Sequence, residues 1–258
     1  MTRKRPSGLL LDLDGTVYED EGAVAGAAEA VQALRDGGIP LRFVTNTTRV
    51  PRRTIAEWLA GFEIPAAADE IFTPPVAAAA WLKERGIRRV ALCLPPVAGE
   101  EFRGLEIVEE EPEAVVVGDL GVGWTFDAMN RAFRWLLDGA VFIALHRNRY
   151  WKTEGELVLD VGPFVAALEY ATGRTATLVG KPSQPMFEAA ARSMGLEPED
   201  VAMVGDDLEA DVAGAQAIGC QGILVRTGKF REEELARSEV KPDLVVASLA
   251  SLPSMLLS

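Results

Sequence analysis

Histidine is nearly absent from this chain, with His146 the only one. A histidine-rich zinc site is thereby excluded, and any Ser-His-Asp arrangement would have to use that single residue. Cysteine is almost as scarce. Cys93 and Cys220 each lie in or beside an apolar run, which reads as two small buried thiols rather than a disulfide. No apolar run is long enough to span a bilayer, and none of signal-peptide length follows the basic start Met1-Thr-Arg-Lys-Arg-Pro6. A cytoplasmic protein is expected. Positive charge is also in deficit: 26 Lys+Arg against 39 Asp+Glu leave a net charge of −13. An acidic surface of that size disfavours nucleic acid and anionic membrane as partners.

What is present, in 258 residues, is enough chain for one large domain or two modest ones. The organising stretch is Gly8-Leu9-Leu10-Leu11-Asp12-Leu13-Asp14-Gly15-Thr16. Its leucine run predicts a strand buried on both faces, as in parallel sheets. Two acids one residue apart then fall where the strand leaves the sheet, the edge at which open parallel sheets bind ligands. Gly15 permits a sharp turn and a close backbone approach.

A helix is expected over 25–35, a strand over 40–45 and a helix over 51–61. Strand alternating with helix is the rhythm of a doubly wound α/β sheet. From about residue 78 the texture changes. Strands are expected at 89–94, 114–118 and 141–145, helices over 126–137 and 162–170, and a hairpin over 149–160. The first rhythm resumes with a helix over 184–194, the strand Val201-Ala-Met-Val204, a helix over 208–218, strands at 222–225 and 244–247, and a terminal helix. The expected architecture is a doubly wound, Rossmann-like, mainly parallel core, residues 1–77 plus 174–258, interrupted by an inserted α/β domain at 78–173.

Four segments place polar groups at predicted strand ends or loop–helix junctions: Asp12 and Asp14; Thr45 and Asn46; Lys181 before Pro182; and Gly205-Asp206-Asp207 with Asp211. Taken singly each has a plain explanation, whether a polar turn, a surface lysine or a charged helix start. Jointly they suit phosphoryl transfer to water. A carboxylate can attack phosphorus; a hydroxyl, an amide and a lysine can hold the phosphoryl oxygens; acids from two strands can hold Mg²⁺, which prefers oxygen ligands.

The motifs Asp12-x-Asp14-Gly15-Thr16, Val44-Thr45-Asn46, Gly180-Lys181-Pro182 and Gly205-Asp206-Asp207-x-x-x-Asp211 resemble those of the haloacid dehalogenase superfamily of phosphohydrolases. The Thr-Asn pair and the place of the insert are similar to subfamily IIA. Asn148-Arg149-Tyr150, Leu159 to Phe164, Ala167 to Ala171 and Val225-Arg-Thr-Gly-Lys-Phe230 look closest to its phospholysine phosphohistidine inorganic pyrophosphate phosphatase branch. The resemblance implies a C2-type cap and a Mg²⁺-dependent phosphatase acting on a small phosphorylated molecule, with pyrophosphate and P–N bonds in scope. Asp12 would be the nucleophile and a metal ligand. Asp14 would be general acid and base, binding metal through its backbone carbonyl. Thr45, Asn46 and Lys181 would hold the phosphate, and Asp206 would complete the metal set. Asp207 and Asp211 would start the following helix or stand behind the ligands, with Asp211 able to orient a metal-bound water. The resemblance also leaves room for a homodimer formed through the cap.

Animal members of that branch carry serine at the position of Asp14, so their substrates transfer less directly to this chain. The competing function is a regulatory protein that binds metal and phosphate on the same scaffold with little turnover. The segment His146 to Lys152, basic and aromatic in an acidic chain, could contact the leaving group or simply pack the cap.

Overall fold

In the computed structural model, residues 5–19, 22–153 and 156–257 are described. The chain separates into two compact units, 1–45 with 52–72 and 181–258, and 46–51 with 73–180.

The first unit is built on six parallel strands in the order Leu244–Val246, Gln221–Val225, Val201–Gly205, Gly8–Leu11, Leu41–Val44, Ile71–Phe72. Leu9, Leu10 and Leu11 are fully buried. Each such side chain contributes about 1.5–3 kcal/mol through removal from water, which is why a run this apolar settles at the centre of the sheet. The helix Gln184–Ser193 packs Met186, Phe187, Ala190 and Ala191 inward, at helical spacing. Ala27–Asp36 does the same with Ala30, Val31 and Leu34. A small antiparallel hairpin, Tyr18–Glu19 with Gly22–Ala23, follows the first strand.

The second unit has a five-stranded parallel sheet ordered Thr177–Leu178, Val141–Ala144, Ala114–Val117, Arg89–Cys93, Glu106–Ile107. Successive strand residues face opposite sides. Val90, Val116 and Ile143 join Ala78 and Leu82 of the helix Pro74–Glu84 on one face. Ala91, Val115, Val117 and Phe142 join Ala132 and Leu136 of Phe126–Leu137 and Val165 and Leu168 of Val161–Thr172 on the other. The hairpin expected over 149–160 is present as Tyr150–Thr153 against Glu156–Leu159. Tyr150 is exposed, so it does not pack a core. His146 is buried, with Nε2 3.6 Å from Asp160 Oδ1. Both cysteines are free and buried, as their apolar settings implied. Among the described residues no helix is long and apolar enough to cross a membrane.

One element departs from expectation. The helix over 208–218 is instead a π-helical turn, Leu208–Ala213, followed by the short helix Gly214–Gln216. Val212 N–H reaches back five residues to the Asp207 carbonyl at 3.3 Å, while Asp211 N–H reaches the same oxygen at 3.0 Å. Hydrophobic spacing cannot separate such a turn from an α-helix, because the same residues face inward in both.

Candidate active site

Gly8–Leu11 and Val201–Gly205 end side by side in the first unit. The sheet order reverses there, since the next strand of this sheet along the chain, Leu41–Val44, lies on the opposite side of Gly8–Leu11 from Val201–Gly205. Such a switch point opens a crevice at the strands' carboxyl ends. Asp12 follows one strand, its N–H donating to the Val204 carbonyl at 2.9 Å, and Asp206 follows the other.

These two acids meet a third. One carboxylate oxygen from each of Asp12, Asp206 and Asp211 lies within 4.8 Å of the others, and all three residues are buried. Asp211 reaches this place because the π-turn carries it over Gly205: its Oδ2 is 2.1 Å from where a Gly205 Cβ would stand. Asp207 N–H donates to the same Oδ2 at 3.1 Å. Asp207 itself turns away to cap the turn, accepting from Glu209 N–H and Ala210 N–H at 3.0 and 2.9 Å.

Lys181 is the cation that answers the cluster. Its Nζ donates to Asp12 Oδ1 and to Asp211 Oδ1, both at 2.6 Å. Burial works against its charge, but Asp12 and Asp211 outweigh that and hold its pKa above the ordinary lysine value. Asp12 Oδ1 also accepts from Leu13 N–H at 2.8 Å, so the carboxylate is fixed from two sides. One ammonium does not neutralise three buried acids. Burial, and then the Asp12 charge, push Asp206 up to about 7 and Asp211 well above the carboxylate range.

Asp206 Oδ1 is buried without a hydrogen-bond partner among the described residues. A buried, unpartnered carboxylate oxygen is costly. An oxygen-seeking cation among these carboxylates removes that cost and the repulsion together, so the donor set fits a hard divalent ion such as Mg²⁺.

Of the other sequence candidates, Asp14 is exposed at the same edge, two residues beyond Asp12. Thr45 is buried at the end of Leu41–Val44, its N–H donating to the Phe72 carbonyl at 3.0 Å. Asn46 belongs to the second unit, where its Oδ1 lies 2.8 Å from the place of a Gly180 Cβ.

Comparison with known proteins agrees with these motifs. A haloacid dehalogenase-like hydrolase family model matches residues 9–108, and a second, HAD-hydrolase-like, matches residues 178–252. The chain is 42% identical to human haloacid dehalogenase-like hydrolase domain-containing protein 2, over 93% of this chain and 92% of that protein. It is 39% identical to bovine phospholysine phosphohistidine inorganic pyrophosphate phosphatase, over 97% and 94%. The structure superposes on p-nitrophenyl phosphatase from Archaeoglobus fulgidus with a TM-score of 0.92 at 33% identity, covering 98% of this chain and all of that one. The chain belongs to the haloacid dehalogenase family of hydrolases.

As a haloacid dehalogenase-type phosphohydrolase, the chain has one site component that its motifs leave unassigned. The segment Thr227-Gly228-Lys229 straps the site from the far side. Thr227 Oγ1 donates to the Gly15 carbonyl at 2.5 Å, Gly228 N–H to Glu19 Oε1 at 2.9 Å, and Lys229 N–H to Asp206 Oδ2 at 2.6 Å. Two of the three donors are backbone amides, which side-chain chemistry does not announce. The sequence signal available was the Thr-Gly pair just after the strand Gln221–Val225.

Proposed function

We propose that the chain is a Mg²⁺-dependent phosphatase that hydrolyses a small phosphorylated substrate by way of an aspartyl-phosphate on Asp12. The supporting observation is the Lys181 bridge between Asp12 and Asp211, set against the unpartnered Asp206 oxygen. It combines a fixed carboxylate, a buried cation and a place for a second cation at one strand edge.

In this reading the Asp12 carboxylate attacks phosphorus and the bond to the leaving oxygen breaks. Asp14 gives that oxygen its proton. Asp14, now a carboxylate, then takes a proton from the water that attacks the phosphorylated Asp12, releasing phosphate and restoring the acid. General acid–base groups of this kind contribute about 10²–10⁴-fold. Lys181 stabilises charge on the phosphoryl oxygens, with the Thr45 hydroxyl and the Asn46 amide as further donors. Asp12, Asp206 and the Asp14 carbonyl are the proposed holders of Mg²⁺, and the buried Asp211 stands beside them. The ion, when bound, supplies charge neutralisation at the phosphoryl group. The inserted segment, 78–173 in the sequence reading, is assigned the role of a cap that keeps water from the phosphorylated Asp12.

The relatives' names point to phosphate monoesters, P–N compounds and pyrophosphate as a substrate panel. The test is turnover of p-nitrophenyl phosphate with Mg²⁺ and after chelation, with borohydride trapping of the acyl phosphate. Metal-dependent turnover is expected, with reductive conversion of Asp12 to homoserine. Binding of Mg²⁺ and phosphate without turnover would assign the chain to the regulatory reading instead.

A further inference from the structure

Beside Asp14 the first unit carries an open cleft of about 310 Å³ lined by Asp14, Tyr18, Glu19, Trp58 and Phe62. Three of these five residues are aromatic. The Tyr18 and Phe62 rings lie 5.5 Å apart, centroid to centroid, tilted by 35°. Trp58 stands on the helix Arg52–Gly61, whose inward contacts are already made by Ile55 and Leu59, both fully buried. It is 42% exposed, so the core does not account for it. The Tyr18 phenol is within electrostatic reach of both motif acids: burial raises its pKa first, then the charges of Asp14 and Asp12. Its backbone is tied to the same turn, the Tyr18 carbonyl accepting from Gly15 N–H at 2.7 Å.

We propose that this cleft seats the leaving group of the substrate and that the group is a single aromatic ring, uncharged or cationic. The proposal rests on the reading of Asp14 as the acid that protonates the leaving oxygen. Three aromatic side chains in the lining suit a planar apolar group, through burial and ring–ring contact. The volume is at the low end of the roughly 300–1,000 Å³ of small-molecule pockets, enough for one ring. The charged residues of the lining, among the described residues, are both acidic, Asp14 and Glu19. A leaving group that carries its own negative charge, such as a second phosphate, therefore meets repulsion from the lining.

The experiment compares kcat/KM for benzyl phosphate and ethyl phosphate, whose leaving groups are both simple alkoxides, so the difference reads the ring rather than the chemistry. 4-Carboxybenzyl phosphate, 4-(aminomethyl)benzyl phosphate and pyrophosphate read the charge. Benzyl phosphate is expected to exceed ethyl phosphate by about 10- to 100-fold, the effect of removing one ring from water. The carboxylated ester and pyrophosphate should fall below the aminomethyl ester. Trp58→Ala should erase most of the benzyl preference, and Trp58→Phe should restore part of it. Equal rates on benzyl and ethyl phosphate, or equal losses on both in Trp58→Ala, would overturn the subsite while leaving the phosphatase reading intact. Equilibrium binding of benzylphosphonate separates the other case. If neither ester nor p-nitrophenyl phosphate is hydrolysed yet the phosphonate binds wild type more tightly than Trp58→Ala, the ring subsite stands and the phosphatase reading falls. If none of the three is hydrolysed and the phosphonate binds both proteins alike, both fall.

Discussion

Gly15 and Gly228 face each other across the Asp206 carboxylate. A Cβ on Gly15 would stand 3.0 Å from the Gly228 Cα, and a Cβ on either glycine would stand within 2.1 Å of Asp206 Oδ2. Both glycines have positive φ, +84° and +61°. The slot exists because neither residue has a side chain, and it aims Asp206 at the other two acids.

Gly228→Ala should therefore act on the metal rather than on the fold alone. A residue forced into left-handed backbone costs roughly 1–2 kcal/mol, and here it also displaces Asp206. The Mg²⁺ concentration for half-maximal activity should rise about 10–100-fold, as for other changes behind a metal ligand. Gly195→Ala is the control: φ is +70° but nothing lies within 4 Å, so Mg²⁺ dependence should not move. Equal Mg²⁺ curves for the two variants would remove the slot as the cause.

Asp12→Asn should reduce turnover to background while leaving circular dichroism unchanged, since an amide does not attack phosphorus. Near wild-type activity, with deamidation excluded by mass spectrometry, would remove Asp12 as nucleophile.

Asp14→Asn should lose about 10²–10⁴-fold on alkyl phosphates and less on p-nitrophenyl phosphate, because nitrophenolate leaves with little protonation. Equal losses on both substrates would assign Asp14 another role.

The leucine run, the strand Val201–Gly205 and most helices were legible in the sequence because a buried parallel strand is a continuous apolar run and a surface helix has a 3.6-residue period. The two-residue strands Ile71–Phe72 and Thr177–Leu178 were not, being shorter than any pattern that could mark them. At the site, the acids at strand ends were readable. The position of Asp211 was not, because it depends on one hydrogen bond reaching back five residues rather than four. The strap at Thr227–Lys229 was hidden for a different reason: amide groups are present at almost every residue, and only the fold selects which of them face Asp206.

In the second unit, Glu113 Oε2 accepts from Arg88 N–H and Arg89 N–H at 2.6 and 2.9 Å, and these bonds hold its carboxyl below its ordinary value of 4.5. A depressed carboxyl contributes stability above its unfolded value and loses it as pH falls through the folded one. The Tm difference between wild type and Glu113→Gln should therefore be constant above about pH 5.5 and shrink in more acid solution. A gap that persists unchanged to pH 3 would show that the ionised carboxylate is not its source.

Burial pushes the Cys93 and Cys220 thiols up to about 12, and the thiolate is the reactive form. Native protein at pH 8 should give almost no reaction with Ellman's reagent over minutes, and both thiols should react in guanidinium. Prompt labelling of either in native protein would show that the segment around it opens readily.

The place of Gly8–Leu11 between Leu41–Val44 and Val201–Gly205 also has a consequence for biosynthesis. At about 5–20 residues per second, some 10–40 s separate synthesis of the first strand from that of its second neighbour. Throughout that interval the sheet's most apolar strand has an open edge. A nascent chain truncated before residue 201 keeps that edge open permanently, as a template for pairing with other chains.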